Sequence, residues 1–177
     1  MLFYKKEKKR GPTMSEKLLS DIKLQYERTF DTIRKIVEIF PENRWLRPHG
    51  DEYYIPSRIA YHIAEFIDGQ IGGGFKDPEF FEKLPFGPWF KATVEELPDK
   101  NALTTYLDES IARAQKALAD ADSDVLMLPV EQERAWMAER MGATRLGAHV
   151  YIIRELSAHT GEMNKMLVEN GLEDVWC

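Results

Sequence analysis

Glu155 and His159 carry the clearest chemical signal in the chain, because a carboxylate and an imidazole four residues apart on a helix lie one above the other. At that spacing the β-carbons are roughly 5–6 Å apart, close enough for both side chains to hold one ion. Ile152, Leu156, Met163 and Leu167 recur around them at helical spacing, so both polar groups fall in or beside a core-facing stripe. An unpaired carboxylate in such a place is costly or takes up a proton, so a cation, a metal or a polar ligand is expected beside it.

His62 is the second signal. It lies within the apolar line Ile59, Ile63 and Phe66 and therefore points at the core or its rim. His62, Glu155 and His159 together supply two imidazoles and a carboxylate, the donor set of open catalytic zinc sites and of several iron and nickel sites. The HExxH zincin motif is absent, and so are the paired Glu-x-x-His motifs of di-iron bundles, which leaves a single metal as the expectation. Ser157 sits beside His159 rather than on a G-x-S-x-G elbow, so a serine hydrolase is disfavoured. The competing readings are ordinary ones: His62 as a hydrogen-bonded histidine at the core edge, and Glu155 paired with Arg58 or Arg154. His149 falls about 120° around the helix from Glu155 and stays outside the set, and His49 belongs to a loop.

Helices must position these groups. A continuous stripe of Leu18, Ile22, Tyr26, Phe30, Ile33, Val37 and Phe40 predicts a first helix from Ser15 to Phe40, stopped by Pro41. Residues 43–54 read as a loop with Trp45 and Leu46 pinned on the core. A second helix opens at Ile55 with Pro56 in its first turn, runs through Ile67, and is ended by Gly72, Gly73 and Gly74. From there to Asp99 the chain has four prolines and six large aromatics, including Phe75, Phe80, Phe86 and Trp89. Segments that long are lids, binding loops or disordered, and the aromatic content argues for a pocket wall or a cap on the core. A third helix is predicted over 101–121 with Asp99 as cap, a short one over Glu131 to Met141 carrying Trp136 and Met137, and a last one from Thr144 to Gly171.

Length and charge set the outer bounds. With 177 residues the chain fits one domain, and the expected division is a basic, disordered leader over 1–14 followed by a single domain over 15–177. The formal net charge of -6 conceals a positive leader and a clearly acidic body, which disfavours nucleic acid as the main partner. No apolar run approaches the roughly 20 residues of a membrane span, and no signal-like segment follows the leader's charges. The single cysteine, Cys177, cannot form an internal disulfide and is a poor nucleophile at a chain end, so a reducing, cytoplasmic setting is expected.

Most of the chain resembles the DinB/YfiT-like family of metal-dependent four-helix-bundle proteins. The likeness lies in the long first helix ending at Pro41, in WLRP followed by PSRIAYHIAEF around His62, and in RELSAHTGEM before a helix ending at Gly171. It implies an all-α, up-down four-helix bundle with a long aromatic-rich loop between helices 2 and 3. It also implies one divalent metal, zinc first, with nickel, manganese or iron as alternatives, and His62 and His159 match the family's ligand positions. Glu155 stands where that family usually has a histidine, and Glu162 follows Gly161 where glutamine is frequent. A carboxylate moves the preference away from softer ions. The family's activities imply thiol-dependent transfer or isomerisation with a low-molecular-weight thiol such as bacillithiol or mycothiol, with Glu65 or Glu162 orienting a ligand or moving a proton. A homodimer is expected from the same likeness. The alternatives are metal-dependent hydrolysis and a non-catalytic stress or interaction bundle in which Glu155 forms an ion pair.

Overall fold

The computed structural model describes residues 11–51, 53–130 and 138–175. Thr13 starts the first helix, α1 (Met14–Ile39), through a capping box: its hydroxyl accepts the Glu16 N–H while the Glu16 carboxylate accepts the Thr13 N–H. The helix ends ahead of Pro41, as expected. Its buried line runs Leu19, Ile22, Tyr26, Phe30, Ile33, Ile36 and Val37; Leu19 replaces the expected Leu18, which faces solvent.

Pro56 occupies the first turn of α2 (Pro56–Gln70), where its missing N–H is harmless. The helix runs three residues beyond the expected Ile67. Gly69 is tolerated inside it because the Phe75 ring sits where a β-carbon would be, 2.6 Å away, and Gly73 ends the region in the left-handed conformation at φ +91°. Asp99 caps α3 (Lys100–Ala119) by accepting the Ala102 N–H at 2.8 Å. Only the end of the expected short helix is described, as α4 (Ala138–Met141); Trp136, Met137 and the rest of 131–137 lie outside the described residues, as do residues 1–10 of the leader and Cys177. Thr144 caps α5 (Arg145–Glu169) through the Gly147 N–H, and Gly171 follows it at φ +79°.

The described residues form an all-α structure without strands, apart from two isolated bridges. α2 packs against α3 and α5, and α1 packs against the same two helices. Between them lies one apolar cluster that includes Tyr26, Phe30, Ile59, Ile63, Leu107, Ile111, Leu156 and Leu167. Trp45 is buried in it and donates its indole N–H to the Pro98 carbonyl at 3.1 Å. Leu46, expected beside it, is 39% exposed instead, since neighbouring residues in a tight turn point in different directions. Among the described residues, no helix is long and apolar enough to cross a membrane.

The aromatic segment between α2 and α3 contains single 3-10 turns at Gly74–Lys76, Phe80–Glu82 and Val94–Glu96. Its two expected roles are divided along its length. Phe80 is buried and meets Phe75 edge-to-face at 5.1 Å, capping the core, whereas Trp89 reaches His62.

Candidate metal centre

His62 projects from the middle of α2 because Ile59, Ile63 and Phe66 set that helix face toward α5. His159 projects from α5 to meet it. The two imidazoles pack edge-to-face with ring centroids 4.6 Å apart. His62 Nδ1 is buried and finds no hydrogen-bond partner among the described residues, an omission that costs about 1–3 kcal/mol. Burial, with the neighbouring His159 adding to it, pulls the His62 pKa down to about 3, so this imidazole is neutral at physiological pH with a lone pair available.

His159 has the partner that His62 lacks. Its Nδ1 lies 2.7 Å from the Glu162 carboxylate, three residues on along α5. A carboxylate on Nδ1 favours the tautomer that carries its proton there, which frees Nε2 as an acceptor or ligand. Glu162 is thereby committed to the His159 ring.

Glu155, the third expected ligand, is partly exposed and bonded to Arg154 at 3.2 Å, the ion pair that was the competing reading for it. It remains close to the site through Tyr53. Burial holds the Tyr53 phenol above its ordinary pKa, and the nearby carboxylates of Glu162 and Glu155 add to the effect. Among the described residues, no group of three or more His, Cys, Asp or Glu side chains is gathered tightly enough to hold an ion. The donor chemistry of His62 and His159 suits a divalent metal: two adjacent imidazoles, one with an orphaned buried nitrogen and one backed by a carboxylate. The carboxylate is not gathered with them.

Glu65 is only 4% exposed. Its carboxylate accepts the Trp89 N–H at 3.2 Å, and burial still pushes its pKa up to about 7. A group of that pKa can give or take a proton near neutrality. The Trp89 indole lies on His62 with centroids 4.1 Å apart, and Tyr53 meets Trp89 edge-to-face at 5.7 Å.

Sequence reasoning missed a second polar cluster on α2. Asp68 is buried and receives Arg113 in a bidentate pair, from Nε at 2.7 Å and Nη2 at 3.0 Å, together with the Tyr106 hydroxyl at 3.1 Å. Its helical spacing from Ala64 and Ile71, both buried, was the available signal. His149, set aside from the sequence, lies away from the pair with its Nδ1 3.0 Å from the Tyr26 hydroxyl. His49 Nε2 is hydrogen-bonded to the Glu169 carboxylate on α5.

Comparison of the chain with protein-family models and with curated proteins finds no match.

Proposed function

We propose that this chain is a DinB-like four-helix-bundle protein that binds one divalent metal, zinc first, through His62 and His159, and that it is a thiol-dependent transferase. The observation that carries this reading is the histidine pair itself: two imidazoles 4.6 Å apart, one neutral with an unpartnered buried nitrogen, the other oriented by Glu162. Glu155, one turn from His159 on α5, would complete the set, consistent with its place beside Tyr53.

A divalent ion lowers the pKa of a bound thiol or water and so supplies a nucleophile at neutral pH. The chain's own groups do the rest. Glu162 holds the His159 ring and its tautomer. Glu65, with a pKa of about 7, holds or releases a proton beside His62. Trp89 and Tyr53 exclude water from the His62 side. The raised pKa of Glu65 equally suits a general base for water, which makes metal-assisted hydrolysis the second reading.

Elemental analysis of the purified chain, beside His62→Ala, Glu155→Ala and His159→Ala, tests the proposal. The expected result is about one divalent ion per chain, lost in both histidine variants and weakened in Glu155→Ala, with Glu162→Ala losing roughly 10–100-fold in affinity. Failure to take up zinc, nickel or manganese on titration would leave a non-catalytic bundle with an Arg154–Glu155 ion pair. Activity toward electrophilic substrates only with an added thiol separates transfer from hydrolysis.

A further inference from the structure

Arg58, His62 and Glu65 lie at successive helical steps on one face of α2, and all three meet the same residue of the aromatic segment. Arg58 Nη1 donates to the Trp89 and Ala92 carbonyls, both at 2.9 Å. Glu65 accepts the Trp89 N–H, and the Tyr61 hydroxyl donates to the Gly87 carbonyl. Between the two charged groups the Trp89 indole covers His62. The polarity is matched: the cation faces carbonyl oxygens and the acid faces an amide hydrogen.

Nothing in helix stability asks for this. Arg58 stands in the first turn of α2, where a basic residue opposes the helix dipole, and its Nε is buried without a partner among the described residues. A guanidinium could reach water from that position; here it is committed to main-chain carbonyls of the segment that carries Trp89.

We infer that Arg58 and Glu65 are positioning residues that clamp the main chain of Trp89, so that its indole forms a fixed wall over His62. Glu162, the carboxylate that holds His159, lines a cavity of about 400 Å³ together with His49 and Tyr54. The inference concerns the site proposed above and rests on that reading only for the consequence of the wall.

The test is acylation of the full-length, chelator-treated chain by diethyl pyrocarbonate at pH 6, followed histidine by histidine with peptide mass spectrometry. Rates are compared at one pH, and the rate at His62 relative to that at His149 reports its exposure. In the parent it is the slow histidine. Arg58→Met and Trp89→Ala are each expected to accelerate it about tenfold or more by local opening, with His149 unchanged as the internal reference. Arg58→Lys, which keeps a cation able to donate to both carbonyls, restores a rate within about threefold of the parent. The clamp is overturned if Trp89→Ala exposes His62 and Arg58→Met does not, or if neither does. It is overturned too if His149 accelerates by the same factor as His62 in Arg58→Met, the mark of a residue that merely supports the fold. A chain that takes up no metal but shows the expected acylation pattern keeps the clamp and loses the metal reading.

Discussion

Two polar clusters share helix α2, their centres His62 and Asp68 less than two turns apart, and they are built in opposite ways. Around Asp68 every charge has its complement: both carboxylate oxygens receive Arg113, and Tyr106 adds a third donor. Around His62 the complement is missing. The imidazole keeps a buried nitrogen without a partner among the described residues, and the carboxyl of Glu65 is buried against the Trp89 amide. A satisfied cluster adds rigidity to a fold, whereas an unsatisfied one stores an unmet demand for a ligand or a proton. Location within one helix does not decide which kind arises; the partners supplied by α3, α5 and the aromatic segment do.

The sharpest break in that comparison is Asp68→Ala. It strands Arg113 and Tyr106, and the expected loss is about 2–3 kcal/mol, moderated by the partial exposure of Arg113, read as a lower urea midpoint with unchanged slope. The pH dependence of stability comes next. The folded-state pKa of His62, about 3, lies below its unfolded value, so its contribution is fully present above about pH 6.5 and is lost as pH falls toward 3. That of Glu65, about 7, lies above its unfolded value, so its contribution is present below about pH 4.5 and is lost as pH rises through 7. Between those unfolded values the two oppose each other and the parent profile is nearly flat. Glu65→Gln should unmask a stability that rises by up to about 1.4 kcal/mol per pH unit, and His62→Leu one that falls; a flat profile in both variants would refute the assignment.

At neutral pH, His62→Leu should leave stability unchanged or raise it by up to about 1–3 kcal/mol, because it removes a buried nitrogen that has no partner among the described residues, while the proposed metal uptake is lost. A loss as large as that of Asp68→Ala would place His62 among the structural groups. The smallest effect belongs to the surface pair of Arg34 and Asp108 at 2.8 Å, where Asp108→Asn should cost under about 0.5 kcal/mol and vanish at high salt.

Much of this organisation was legible before any coordinates. The capping residues Thr144 and Asp99, the stop at Pro41 and the glycine after α5 are local chemistry, decided within a few residues of where they act. The meeting of His62 and His159 followed from two helix faces that were each apolar around one histidine. The place of Glu155 was not legible in this way. Its spacing from His159 is the same whether it turns toward an ion or toward Arg154, and spacing along one helix does not separate those outcomes. Arg58, read as a possible partner of Glu155, and Glu65, read as orienting a ligand or moving a proton, both bond main-chain atoms of Trp89, and a main-chain partner leaves no trace in residue type.

The sequence by itself determined the helices, their caps and the faces that turn inward, because periodicity and capping act over one or two turns of chain. Tertiary structure alone decided that Asp68 is neutralised while His62 Nδ1 finds no partner among the described residues, that Glu162 rather than Glu155 bonds His159, and that Trp89 packs on His62. Those choices depend on groups brought together from distant parts of the chain, and burial then fixes which donors and acceptors remain without water or a partner.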